Sequence, residues 1–467
     1  MSIVCSRTAV STGFCLLALL PCGCKRSPPP GPSATLPGPS AASSAAASSP
    51  EPASQCRRLS GFGLTLDATP APEPKQSPRV AELGSDAPAD EDDGDALPFG
   101  VDLGAAHVTS QGFAVSGVRG AGQAFVALLG LEASRCVDLG ELHGEPEAPA
   151  LASQGERTLV ALRSSDAAGF TIKLGQIGVS GGVEWGQELA KLGKTVASVE
   201  LAVSGAHGLL VFQSDDKAGS HIVRGSFSSG DLKQPIELAP FEGKNVELPR
   251  LSARPGGFWL SWVRSVPEPK KAAKLLTDAG AAEDPEEREL LDAGLRVLEV
   301  AKLDERGQMQ GAMVRLGEPR RQVILFDVAP LAAGGLLVAS RFDRASPGAE
   351  GGALLLSEVG LDGSVKEERL DDDEIGAGAP SLLLDPQAKS PEPWLAVSSP
   401  SDVPRLGPAR GARTILMTDP LLAVGKSEVI ARGAGHFLTA RPRGRSVELA
   451  AFDCQLAPPT PSAPENK

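Results

Sequence analysis

Gly208-Leu209-Leu210-Val211-Phe212, followed by RGSFSSGDLKQPIELAPF (224–241), decides the fold. The first run is short, apolar and opened by glycine, which suits a buried strand better than a helix. The second holds a strand, a turn built on Gly and Asp, and another strand, and Gly and Asp supply the positive-φ positions that such hairpins need. The same grammar returns along the chain. Apolar central strands read GFAVS (112–116), RTLVAL (157–162), GFWLSW (257–262), GLLVA (335–339), PWLAV (393–397) and HFLTA (436–440). Outer halves read LGQIGVSGGVEWGQELAKLG (174–193), VAKLDERGQMQGAMVRLG (300–317) and LSEVGLDGSVKEERL (356–370).

Neighbouring central strands lie roughly 45–60 residues apart, with one wider gap of about 77, a period in the range of propeller blades. The four-stranded units resemble β-propeller blades. Seven central strands predict an all-β, seven-bladed β-propeller over 99–456, with an insertion at 266–294 that accounts for the wide gap. Within the insertion, Asp284-Pro285 followed by acidic residues reads as a capped helix start. The last unit ends near Phe452 without an outer strand of its own. Gly100-Val101-Asp102-Leu103-Gly104 matches Cys136-Val137-Asp138-Leu139-Gly140, so 99–104 is expected to close the final blade and remove the open edge. An open stack of β-sandwich domains is the competing arrangement.

The N-terminus carries an address. Arg7 precedes the apolar run TAVSTGFCLLALL (8–20), and Leu20-Pro21-Cys22-Gly23-Cys24 ends it. At roughly 13 residues the run is too short for a permanent span and fits a signal h-region. The segment resembles the lipobox of bacterial lipoproteins, with Pro21 where that pattern usually has Leu. The resemblance implies a signal peptide at 1–23, lipid on Cys24 and a membrane-anchored protein of the cell envelope. Lys25 after the cysteine resembles an outer-membrane address rather than an inner-membrane one. Residues 24–55 then form a Pro/Ala/Ser tether that cannot bury enough apolar area to fold. Residues 56–67 (CRRLSGFGLTLD) alternate as a short strand docked on the propeller; 68–98 is an acidic, Pro-rich linker and 457–467 a Pro-rich tail.

Composition narrows the function. The chain has 45 Lys+Arg and 58 Asp+Glu; without Arg7 the basic count is 44 and the net charge −14. That argues against a nucleic-acid or anionic-lipid surface partner, both of which attract basic patches. There is no Tyr, and only Trp185, Trp259, Trp262 and Trp394 could form a sugar-stacking platform. Beyond the signal and Cys24, three cysteines remain, Cys56, Cys136 and Cys454. Cys56–Cys454 is the expected disulfide, with Cys136–Cys454 the other option. No Cys/His cluster or HExxH appears, so no metal or cofactor is expected.

Gly178-Val179-Ser180-Gly181-Gly182 fits G-x-S-x-G but falls in a hairpin turn, not the strand-to-helix elbow that activates a serine. The acid runs 90–95 and 371–374 lack calcium-loop spacing. Of the histidines His107, His143, His207, His221 and His436, only His207 and His436 hold equivalent places, just before central strands, where they read as turn or core residues unless they meet in the channel. No catalytic residue is assigned. The expectation is a non-enzymatic binding or scaffolding lipoprotein with a protein partner; the alternative is a propeller hydrolase or lyase acting on envelope or extracellular glycans. His, Asp, Glu or Arg converging at the channel mouth would favour the enzyme, and a lining of Ala, Ser, Val and Gly would exclude it.

Overall fold

The computed structural model describes residues 56–67 and 100–454 apart from internal stretches, the longer ones being 267–294, 343–353, 371–378, 399–404 and 411–427. The signal, Cys24, the tether, the linker, the helix start at Asp284, both acid runs and the tail lie outside the described residues.

Among the described residues twenty-seven strands form seven antiparallel sheets. β1 (Cys56–Asp67) comes first in the chain and last in the ring. Blade one is β2 (Val101–Thr109), β3 (Gly112–Arg119), β4 (Gln123–Gly130) and β5 (Ser134–Glu141). Blade two is β6 (Ala150–Gln154), β7 (Arg157–Asp166), β8 (Gly169–Ile177) and β9 (Val183–Leu189). Blade three is β10 (Val196–Ser204), β11 (His207–Asp216), β12 (Gly219–Ser228) and β13 (Glu237–Pro240). Blade four is β14 (Val246–Arg254), β15 (Gly257–Val266), β16 (Leu295–Leu303) and β17 (Val314–Leu316). Blade five is β18 (Val323–Pro330), β19 (Leu336–Phe342), β20 (Leu354–Val359) and β21 (Val365–Leu370). Blade six has three strands among the described residues, β22 (Ala379–Leu383), β23 (Trp394–Ser398) and β24 (Arg405–Pro408). Blade seven is β25 (Glu428–Gly433), β26 (His436–Arg443) and β27 (Ser446–Cys454), completed by β1.

The apolar core divides in the same way. Seven buried clusters exist, one at each blade-to-blade interface, including Leu103, Phe113 and Phe125 of blade one against Phe62, Leu66 and Leu438 of blade seven. A cluster at every interface, the seventh-to-first included, defines a closed ring. It is a seven-bladed β-propeller.

Both faces of each sheet meet a neighbouring blade, so the second strand of a blade is largely apolar and buried; β11 is buried from Gly208 to Ser214 and β19 along its whole length. The runs read as central strands are therefore second strands. The innermost strands are β2, β6, β10, β14, β18, β22 and β25, each packed on its two neighbours around the channel.

Ring closure corrects one expectation. Residues 101–109 pair with β3 alone, as the innermost strand of blade one. The closing strand is β1, antiparallel to β27 from Cys56↔Cys454 to Asp67↔Ser446, with an irregularity between Arg58 and Gly63. The reason is local. The two-residue turn after Thr109 commits 101–109 to a hairpin with the strand that follows, whereas 56–67 pairs with β27. Cys56 and Cys454 are disulfide-bonded across the first rung of this pairing, 398 residues apart in sequence. Cys136 is a free thiol whose ionisation burial disfavours.

Candidate functional site

Five innermost strands carry a β-bulge: β2 between Leu103 and Ala106, β10 between Ala197 and Glu200, β14 between Glu247 and Arg250, β18 between Val323 and Leu325, and β25 between Val429 and Ala431. A bulge turns side chains away from simple alternation. In blades three and four it also places Ser198 (φ 51°) and Leu248 (φ 53°) in the left-handed region, which non-glycine residues avoid. Such strain persists where the surrounding structure over-determines it, commonly at functional sites.

A cavity of about 60 Å³ opens beside these two bulges, lined by the innermost strands of blades one to four and the segment before β6. Gly104, Ala105, Ala148 and Pro149 form its small-residue wall, and His107, Glu147, Glu200 and Arg250 its ionisable one. A side chain at Gly104 would collide with Ala148 and Ser116, so glycine lets blades one and two approach closely here.

Two carboxylates meet at this cavity in different surroundings. Glu200 faces Arg250, with Nη1 to Oε1 at 2.9 Å, and its Oε2 lies 3.5 Å from the Leu251 backbone N–H. Glu147 Oε2 lies 2.9 Å from Arg163 Nε, in ionic contact but without the alignment of a hydrogen bond. Arg163 also donates Nη1 to the Val196 carbonyl. Burial pushes the Glu147 carboxyl above the ordinary glutamate range and Glu200 adds to the rise; Arg163, the Ser198 backbone N–H and Arg250 oppose it without cancelling it. Two neighbouring carboxyls held in unlike environments are the usual basis of an acid and base pair.

Elsewhere inner carboxylates clasp one blade to the next. Asp327 accepts the Leu382 N–H at 2.8 Å and Asp385 accepts the Gly435 N–H at 2.8 Å. Within blade four, the fully buried Glu299 of β16 is held by Trp262 Nε1 at 2.9 Å and by Arg264 and Arg315. These groups are satisfied within the fold, whereas Glu147 Oε2 and Arg250 Nε at the cavity are among the buried polar atoms without a hydrogen-bond partner.

The residues singled out by sequence are scattered. His107 alone reaches the cavity. His207 sits at a hairpin tip 3.3 Å from Glu305, His221 lies 3.9 Å from Asp216, His143 is exposed, and His436 packs on Phe62. His207 and His436 belong to second strands and do not meet in the channel. Gly178 and Gly181 form a turn, and Ser180 between them lies outside the described residues. Trp259 and Trp262 are core residues, Trp394 stacks on Phe437 and Arg432, and Trp185 is exposed on the outer strand β9. Among the described residues no His/Cys/Asp/Glu cluster fits a metal. Glu147, Glu200, Arg163 and Arg250 carry no motif. Their one signal is a lone charge in an apolar strand, as in VASVELAVS (196–204).

No protein-family model matches the chain, and no curated protein matches its sequence. By structure the chain is similar to the hydrazine synthase of Kuenenia stuttgartiensis, at 12% identity and TM-score 0.47, covering 74% of this chain and 94% of that one. It is similar to the polysaccharide lyase Uly1, at 9% identity and TM-score 0.48, covering 85% and 98%. It is also similar to an α-L-arabinanase of Penicillium chrysogenum complexed with arabinobiose, at 13% identity and TM-score 0.41, covering 65% and 93%. At these identities the likeness is one of fold and assigns no residue or substrate. Several other similar structures are propeller enzymes named for sugars, among them a β-fructofuranosidase and an endo-arabinase. Against the expectation of a chain without enzymatic activity, these similar structures are enzymes; their likeness to this chain is one of fold.

Proposed function

We propose that the protein is a lipid-anchored envelope enzyme, a hydrolase or lyase acting on envelope or extracellular glycans at the channel mouth of its propeller. The observation that supports this reading is the pair Glu147 and Glu200, brought to one cavity from neighbouring blades. Glu147, biased by burial toward its protonated form, is the proton donor to the departing sugar oxygen. Glu200, held by Arg250, is the partner that takes a proton from water or from the sugar. Arg163 and the Ser198 N–H orient Glu147.

The test is product release from a panel of envelope and extracellular polysaccharides, followed as new reducing ends and as unsaturated sugar ends. Glu147→Gln and Glu200→Gln are each expected to lower kcat at least a hundredfold in a folded protein. Undiminished activity in both variants would remove the reading.

The address is proposed separately: lipid on Cys24, a tether over 24–55, and an outer-membrane location. Labelled palmitate is expected to enter the wild-type chain and to be lost with Cys24→Ala. Incorporation that persists in the variant would remove the anchor.

A further inference from the structure

Resting on the acid–base reading of the Glu147 cavity, we propose that this cavity receives a carboxylate, so that the substrate is an acidic, uronate-bearing glycan. Arg250 carries the argument. Its side chain is 9% exposed, it lines the cavity, and its Nη1 is held by Glu200 and the Pro249 carbonyl. Its Nε is buried with no hydrogen-bond partner. A buried donor left unmade is costly, and the guanidinium edge matches a carboxylate better than any other common group.

Glu147 supplies the second half. Its Oε2 is buried in ionic contact with Arg163 Nε, without the alignment of a hydrogen bond. With the carboxyl biased toward its neutral form by burial, that side chain offers an O–H as a donor. Both oxygens of Glu200 are already engaged, by Arg250 and by the Leu251 N–H. The cavity therefore presents donors in want of an acceptor.

The apolar remainder of the wall, Ala105, Ala148, Pro149, Leu151 and Leu251 among it, keeps water from weakening the pairing of a carboxylate with these donors. Size agrees. About 60 Å³ holds a carboxyl group or a few waters and is far below the several hundred Å³ of a pocket that encloses a whole ligand. The sugar ring stays in the channel and projects its acid group inward.

The experiment is calorimetric titration of the full chain in detergent with short oligomers of galacturonate, glucuronate and mannuronate, each against its methyl ester. At least one acid is expected to bind tenfold or more tightly than its ester near pH 5.5. Arg250→Lys should cut that preference several-fold and Arg250→Gln should abolish it, with melting curves confirming folded variants. Glu147→Gln, which keeps an N–H donor in place, should retain the preference while losing turnover. The wild-type preference should fall as pH rises, because ionised Glu147, facing Glu200, Arg163 and Arg250 with His107 on the opposite wall, then repels the acid. Equal binding of every acid and ester, or a preference unchanged in folded Arg250→Lys, would overturn the inference. Turnover confined to neutral glycans would overturn it and leave the acid–base reading standing. Acid preference without turnover of any glycan would keep the carboxylate site and remove the acid–base reading.

Discussion

Ala434 shows how a single backbone angle reports on the repeat. It occupies the turn between β25 and β26 at φ 50°, where the corresponding turns of blades two and three use Gly155 and Gly205 at φ 58°. An L side chain in that region costs about 1–2 kcal/mol. Ala434 is exposed and makes no core contact, so Ala434→Gly is expected to raise stability by about 0.5–1 kcal/mol, read as a higher denaturant midpoint. Glu299 gives the opposite case. Its carboxylate holds Trp262, Arg264 and Arg315, and Glu299→Ala would strand buried donors at a cost of about 3 kcal/mol. A midpoint unchanged within error would show that the network relaxes onto water. None of these partnerships was legible from sequence, because Glu299 sits in an apolar strand beside no recognisable motif and its partners come from the two strands that flank it.

At the scale of the element, β1 closes the ring on β27. Phe62 and Leu66 are buried while Leu64 is half-buried, so the alternation read from 56–67 matches a strand with one face in the core. Arg58 reaches Glu448 at 2.6 Å, and Arg443 reaches the other carboxylate oxygen at 2.7 Å. Burial pushes the Glu448 carboxyl up, but the Arg58 hydrogen bond and the charges of Arg58, Arg443 and Arg441 bring it below its ordinary value. Its contribution is therefore full above the ordinary glutamate range and lost as pH falls through the lowered value. The disulfide closes a loop of nearly the whole propeller, and a cross-link of that span is worth on the order of 2–5 kcal/mol. Cys56→Ser is expected to lower the melting temperature and to expose 56–67 to limited proteolysis. An unaltered digestion pattern would show that strand pairing alone holds β1. That a separate N-terminal strand completes the last blade was readable from the missing outer strand. Which segment supplies it was not, since 99–104 and 56–67 both satisfy the pattern and only the hairpin partner of 101–109 separates them.

For the whole molecule, stability follows the buried carboxyls. Burial raises Glu147 and Glu428 above the ordinary value of 4.5, so the folded state holds their protons after the unfolded chain has released them. Stability then falls as pH rises between the ordinary value and the raised folded one. Glu147→Gln removes one such group, and its melting temperature relative to wild type is expected to increase from pH 5 to pH 8. A constant difference would show that Glu147 does not titrate in this window. Sequence by itself determined the repeat, the number of blades and the all-β class, because a strand buried on both faces must be apolar and must recur with each blade. It did not locate the channel-lining strands or the site. Those strands are less apolar and take their meaning from the neighbours that the closed ring brings beside them. Glu147, Arg163, Glu200 and Arg250 are ordinary charged residues until three blades place them around one cavity, and that convergence belongs to the tertiary structure alone.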